Sequence, residues 1–293
     1  MFAGTYTALV TPFHKGRVDE GAFQKLISDQ VRGGVDGIVP VGTTGESPTL
    51  GFDEHIRVIE LAVRAAKGRV KVLAGTGANA TAEAVHLTQA AEAVGADGSL
   101  QVAPYYNKPS QEGLFQHFKK IARATKLPII LYSIPGRCNI AIEVPTVQRL
   151  AKACKNIVGI KEAGGDADRV SQLRAAIGQR FTILSGDDAL TLPFMAVGAE
   201  GVISVASNII PRQITRMVNA FTAGNADAAL RLHQKYYPMF KDLFIETNPV
   251  PTKAALAMLG KCTEEYRLPL CKMSAGNRAQ LAKTLKACGV LKK

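Results

Sequence analysis

Eight short apolar runs, most followed by a helical stretch, occupy the chain from its beginning to about residue 225 and constrain its fold more than any other feature. They fall at residues 5–10, 37–42, 70–75, 99–103, 129–133, 157–161, 181–185 and 202–206. A run such as Ile157-Val-Gly-Ile160 carries no polar alternation, the pattern of a strand covered on both faces within a parallel sheet. Between the runs, residues 53–67 place Ile56, Ile59, Val63 and Ala66 on one helical face, and residues 82–94 and 114–124 have the same character. Repeated βα units predict a parallel sheet, and eight of them predict an α/β protein with a closed (β/α)8 TIM barrel over residues 1–224. Residues 225–293 lack a strand signal and read as three helices, 226–246, 251–259 and 276–288, forming a C-terminal helical appendix on the barrel.

Composition narrows the function classes. An apolar content of 47% describes a soluble globular chain, and no run reaches the length of a membrane span. The N-terminal residues lack the basic and apolar regions of a signal peptide, so a cytoplasmic location is expected. Cys138, Cys154, Cys262, Cys271 and Cys288 are odd in number and scattered, without CxxC pairs or a neighbouring histidine cluster, and so point to free thiols and no metal site. The net charge of +12 would suit a nucleic-acid binder. The basic residues are dispersed, however, with no basic helix interleaved with aromatics, and an attraction for anionic metabolites explains the charge equally well. No nucleic-acid partner is expected.

The sixth run raises a question of its own, because it ends in Lys161 and is followed by the Gly164-Gly165 turn. Alone, such a lysine would snorkel into water or pair with Glu162. At the carboxyl end of a barrel strand it instead points into the mouth where the βα loops build active sites. Other strand ends converge there: GTTGES (42–47) after the second strand, Pro104-Tyr-Tyr-Asn107 after the fourth, and the run from Leu131 to Arg137 at the fifth. Hydroxyls, phenols and a guanidinium thus gather around one amine. Thr43 and Thr44 as a helix cap, Tyr105 or Tyr106 as a core aromatic, and Arg137 as a surface charge are the alternatives for each taken singly.

Two motifs point elsewhere. The segment Gly75-Thr-Gly-Ala-Asn-Ala80 imitates a dinucleotide fingerprint, but Asp97 lies before the fourth strand rather than at its far end. GTTGES lacks the GK[ST] ending of a P-loop, so its glycines are read as admitting backbone N–H groups to a carboxylate. Asp187-Asp188 is expected to mark a helix N-terminus.

A lysine in a water-poor barrel mouth loses its charge more easily, and the neutral amine can attack a ketone to give a Schiff base whose iminium is an electron sink. A neighbouring phenol can move the protons. Hydroxyl and N–H groups at Thr43-Thr44 can hold the carboxylate of a 2-oxo acid. These pieces describe a class I aldol reaction on pyruvate.

With that chemistry in place, GTTGES, GTGANAT, PYYNKPSQEGL, LYSIPGR, IVGIKEA and LSGDD together resemble the 4-hydroxy-tetrahydrodipicolinate synthase (dihydrodipicolinate synthase) family over essentially the whole chain. The resemblance implies a cytoplasmic homotetramer, a dimer of dimers, that condenses pyruvate with L-aspartate 4-semialdehyde for diaminopimelate and lysine biosynthesis, with no cofactor beyond the substrate Schiff base. It implies Lys161 as the Schiff-base lysine and Tyr132 as the proton donor and acceptor. It further implies a proton relay through Thr43 and a neighbouring subunit's Tyr106, substrate contacts at Thr44, Gly186 and Ile203, and Arg137 for the semialdehyde carboxylate. For feedback inhibition by L-lysine it implies a dimer-interface cleft away from the Schiff base, formed by Ser47, Pro48, His55, Asn79, Glu83 and Tyr105, although Phe52 stands where some sensitive members carry histidine. Ser133, Cys138 and Asn139 depart from the residues common in the family and bear on semialdehyde binding. The alternative is another Schiff-base pyruvate aldolase on this barrel, such as an N-acetylneuraminate lyase or a 2-keto-3-deoxy sugar acid aldolase.

Overall fold

The computed structural model describes residues 2–292. Its strands are β1 (Gly4–Ala8), β2 (Phe13–His14), β3 (Arg17–Val18), β4 (Gly37–Val39), β5 (Lys71–Gly75), β6 (Gly98–Val102), β7 (Ile129–Ser133), β8 (Ile157–Glu162), β9 (Thr182–Ser185) and β10 (Gly201–Ser204). All but β2 and β3 form one closed parallel barrel, in which β1 pairs with both β4 and β10. The predicted (β/α)8 barrel is therefore the observed one.

Each barrel strand alternates its side chains between two apolar layers. Tyr6, Leu73, Leu100, Ile130, Leu184 and Ile203 fill the interior, while residues such as Leu131, Ile160 and Ile183 face the surrounding helices. This division follows from the two-residue period of a strand inside a closed sheet.

Several strands stop short of the runs read from sequence, β1 at Ala8 among them, and the stops of β4 and β10 serve the mouth. The second barrel strand, β4, ends at Val39 because Pro40 has no N–H to donate and Val41 turns to a φ of 51°. The last, β10, ends at Ser204 because the N–H groups of Val205 and Ala206 donate to the Asp188 carboxylate. The β2–β3 hairpin went unread. Its two-residue strands are too short for periodicity to register, and Lys15-Gly16, both at positive φ, make its turn.

The C-terminal segment forms helices Ala226–Asp242, Val250–Met258 and Ala275–Ala287, the first ending earlier than expected. Ala226–Asp242 packs on Pro211–Thr222, and Ala275–Ala287 packs on the other two. Residues 243–249 between the first two helices lead the chain back over the barrel mouth, where Phe244 and Asn248 line the same small cavity as Lys161. No helix among the described residues is long and apolar enough to cross a membrane.

Candidate active site

The cross-strand register places Lys161 of β8 directly opposite Tyr132 of β7. Opposite residues on neighbouring strands share a face, and here that face is the barrel interior. The Lys161 ammonium nitrogen lies 4.1 Å from the centre of the Tyr132 ring. Only 6% of Lys161 is exposed, so the amine does not snorkel into solvent. Nor does it pair with Glu162, which faces the other way and meets Arg169 at 2.8 Å. Burial lowers the Lys161 amine to about 7; the Asp188 charge pulls it up and the Arg137 charge pushes it further down. Burial likewise raises the Tyr132 phenol to about 12, with the Thr43 hydroxyl and Arg137 opposing that rise. Near neutral pH, the site thus offers an amine that is substantially unprotonated beside a phenol that keeps its proton.

Gly186, after β9, leaves room for this amine. A Cβ there would stand 3.0 Å from Lys161 Cε and 2.7 Å from the Ala163 Cβ, so any side chain would press on the lysine. Ile203 of β10 is fully buried in the interior layer. Thr44, also buried, accepts a hydrogen bond at 2.9 Å from Asn248 Nδ2, and the Asn248 carbonyl accepts one at 3.0 Å from Arg137 Nη2. Asn248 thereby ties two predicted substrate contacts together. Its own amide is held by Thr252, whose hydroxyl donates to Asn248 Oδ1 at 3.1 Å. Sequence reading missed Asn248, because nothing local marks a residue 204 positions from its partner Thr44.

Asp188 corrects a further expectation. Asp187 does cap the turn before helix Thr191–Ala196, accepting from Ala189 N at 2.7 Å. Asp188 instead turns inward and is 1% exposed. Its carboxylate accepts from Ser204 Oγ at 2.5 Å and from Val205 N and Ala206 N at 3.0 Å each. Burial raises it to about 6 despite these donors, Ser204 the strongest of them. It is the carboxylate nearest in electrostatic effect to Lys161.

The GTTGES turn is held in an unfavourable backbone. Val41 (φ 51°) and Glu46 (φ 55°) both lie in the left-handed region. For a β-branched residue such as Val41 this costs on the order of 1–3 kcal/mol and persists only where surroundings over-determine it. Thr43 at the crest is half-buried and lines a cavity of about 220 Å³ together with Tyr132, Arg137 and Cys138.

Ser47, Pro48 and Tyr105 line this same cavity. Within one chain, then, part of the expected L-lysine cleft is continuous with the space in front of Tyr132. His55 is buried on helix Phe52–Ala66, its Nε2 2.8 Å from the Gly75 carbonyl, and burial lowers its pKa. It is not a solvated helix position. Asn79 Nδ2 donates to the Tyr105 carbonyl at 3.2 Å, and Glu83 occupies the first turn of helix Thr81–Ala93. Burial first, and the Glu83 charge second, raise the Tyr105 phenol. Tyr106 stands apart from these residues, 90% exposed at a φ of 73°. Ser133 accepts from Ile142 N at 3.4 Å, Cys138 donates to the Ala103 carbonyl at 3.1 Å, and Asn139 closes the short helix Pro135–Cys138 in a left-handed conformation. Among the described residues, no group of three or more His, Cys, Asp or Glu side chains is placed to hold a metal ion.

Known proteins match this chain from end to end. The model of the dihydrodipicolinate synthetase family aligns with residues 1–288. The 4-hydroxy-tetrahydrodipicolinate synthase of Endomicrobium trichonymphae is 53% identical over 292 residues, covering 100% of both chains. The structure of the 4-hydroxy-tetrahydrodipicolinate synthase from the methanotroph Methylacidiphilum fumariolicum SolV superposes with a TM-score of 0.98 at 55% identity, over 99% of this chain and 96% of that one. A crystal structure of the enzyme from Cyanidioschyzon merolae with lysine bound has a TM-score of 0.96 at 43% identity, over 99% of each chain. With its barrel, its Lys161–Tyr132 pair and these full-length likenesses, the chain belongs to the dihydrodipicolinate synthetase family.

Proposed function

We infer that the chain condenses pyruvate with L-aspartate 4-semialdehyde through a Schiff base on Lys161, giving 4-hydroxy-tetrahydrodipicolinate for diaminopimelate and lysine biosynthesis. The observation that carries the chemistry is the in-register Lys161–Tyr132 pair, a buried amine lowered to about 7 against a protonated phenol. The neutral amine attacks C2 of pyruvate, and the phenol supplies the proton that lets the carbinolamine oxygen leave as water. Loss of a C3 proton to the same phenolate gives the enamine. The enamine carbon then bonds to the semialdehyde carbonyl carbon, whose oxygen takes up a proton. The semialdehyde's own amine attacks the regenerated iminium carbon, closing the ring and expelling the Lys161 amine. Thr44 and the Ile203 backbone hold the pyruvate carboxylate, Gly186 leaves space for substrate, and Arg137 binds the semialdehyde carboxylate through a planar fork. The iminium serves as electron sink, so no cofactor is required.

The test is a coupled assay with pyruvate and L-aspartate 4-semialdehyde, run beside one with sialic acid. Turnover of the first pair with borohydride-trapped pyruvate on the Lys161 peptide is the expected result. Sialic acid cleavage in its place, or trapping on another lysine, would refute it.

Tyr106 acts in trans across a homotetramer, completing the relay with Thr43 of the neighbouring subunit. Its support is the 90% exposure of a phenol held at positive φ. Mixing inactive Tyr106→Phe with inactive Lys161→Ala subunits should restore partial activity, since some sites then receive both intact residues. No recovery after verified subunit exchange places Tyr106 outside a shared site. L-Lysine binds in the cleft of Ser47, Pro48, His55, Asn79, Glu83 and Tyr105 as a feedback inhibitor, with a coupling on the order of 1–3 kcal/mol. Titration at subsaturating pyruvate should lower the rate, and Glu83→Ala should remove that response.

A further inference from the structure

Behind the GTTGES turn lies a second buried lysine that the reaction does not use. Lys253, on helix Val250–Met258, meets Glu46 at 2.5 Å, and both side chains are completely buried. Phe13 lies under the ammonium at 4.2 Å and Tyr266 at 5.3 Å. The other Glu46 oxygen accepts from Arg267 N at 3.3 Å, and the Arg267 side chain donates to the Thr49 carbonyl at 2.9 Å. On the far side of the turn, Thr11 donates to the Gly45 carbonyl at 2.7 Å. A buried ion pair seldom stabilises a fold more than apolar side chains of similar volume would, so stability alone does not account for this one. Its position does supply an account. Glu46 is held at φ 55°, three residues from Thr43 and two from Thr44. Lys253 is adjacent to Thr252, which orients the Asn248 amide on Thr44.

We propose that the Glu46–Lys253 pair is a positioning device for the reaction, in which helix Val250–Met258 clamps the strained turn so that Thr43 and Thr44 meet pyruvate and Tyr132 in register. Lys253 is a positioning residue that touches no substrate and acts through Glu46. The proposal rests on reading Lys161 as the pyruvate-binding amine. Because a misplacement of about 1 Å in a reacting group can lower a rate on the order of 10²-fold, releasing the clamp should slow imine formation without removing the site.

The double variant Glu46→Gln/Lys253→Met tests this, since it removes both charges at nearly constant volume and leaves neither unpaired. Pyruvate is the probe. Borohydride trapping at long times counts competent sites, rapid mixing gives the rate constant of imine formation, and melting temperature reports the fold. The expected result is a trapping amplitude and melting temperature close to those of the parent, with the rate constant lowered about 10- to 100-fold. A rate constant within about twofold of the parent overturns the proposal, whether or not the melting temperature has moved. Should the double variant not fold, Lys253→Arg keeps the charge but changes its reach. A slowed rate at full trapping amplitude is then expected, and a parental rate overturns the proposal. Absence of trapping at Lys161 in the parent would refute the enzymatic reading instead, because the parent retains the clamp intact.

Discussion

Lys161 and Lys253 are two buried lysines, each lying over an aromatic ring at almost the same distance, 4.1 Å from the Tyr132 ring and 4.2 Å from the Phe13 ring. What separates them is the carboxylate. Glu46 bonds directly to Lys253 and opposes the burial that lowers its pKa. Lys161 has no ion-pair partner among the described residues, and Asp188, which influences it through space, spends its oxygens on Ser204, Val205 and Ala206. Desolvation is the leading cause of the downward shift at both sites. A carboxylate partner favours the ammonium form, whereas a buried lysine without one gives up its proton more readily.

Replacing each lysine by methionine, which conserves length but not charge, should separate these roles. The largest effect is chemical: Lys161→Met should lower turnover by at least on the order of 10⁴-fold and abolish borohydride trapping of pyruvate, as loss of a covalent nucleophile does. Residual trapping elsewhere in the barrel mouth would break the comparison at once.

The next effect is on stability, and its sign should differ between the two sites. Lys253→Met leaves the Glu46 carboxylate buried and unpaired, which costs about 3–5 kcal/mol. Lys161→Met should instead stabilise the fold at low pH. The folded-state pKa of Lys161, about 7, lies below its ordinary value of 10.5. Between these values the unfolded chain binds more protons, so the lysine's penalty grows as pH falls and is complete below about 7, where it amounts to at most about 5 kcal/mol. Above pH 10.5 it vanishes. Denaturant titrations of both variants at pH 6 and pH 9 check the contrast, and a Lys161→Met protein no more stable than the parent at pH 6 would mean that the amine is not desolvated.

The same contrast explains how far the sequence could be read. Lys161 was legible because its strand, its turn and its place in an eightfold repeat are local or periodic features, and a strand end in such a barrel has one functional address. Tyr132, Thr43 and Arg137 followed by the same rule. Lys253 was illegible, since it sits in an apolar helix 207 residues from Glu46 and no periodicity links the two. Asp188 was misread for a related reason. An acidic pair before a helix looks like a cap, and only the closed barrel reveals that β10 ends in N–H groups needing an acceptor. The division into barrel and appendix likewise conceals that residue 248 bridges Thr44 and Arg137 from beyond the barrel.

The smallest effect concerns the charges around Lys161, and it is the sharpest test of an unpaired amine. Imine formation needs the neutral form, so its rate should rise with pH to a plateau above about 7, falling about tenfold per pH unit on the acid side. Asp188 favours the ammonium and Arg137 disfavours it. Asp188→Asn keeps an acceptor for Val205 N and Ala206 N and can donate to Ser204 Oγ, so the fold of β10 should survive. Without the negative charge the ammonium is less favoured, and the acid limb should move to lower pH. Arg137→Ala removes a positive charge and should move the limb to higher pH, alongside a raised semialdehyde KM from loss of the guanidinium fork. Both shifts are read from single-turnover trapping of pyruvate, which excludes the semialdehyde and so isolates the amine. Because Asp188 is itself raised to about 6, its influence should fade below that pH, and the Asp188→Asn profile should converge with the parent's there. Shifts in the same direction for both variants would mean that structural displacement of Lys161, rather than charge, sets its reactivity.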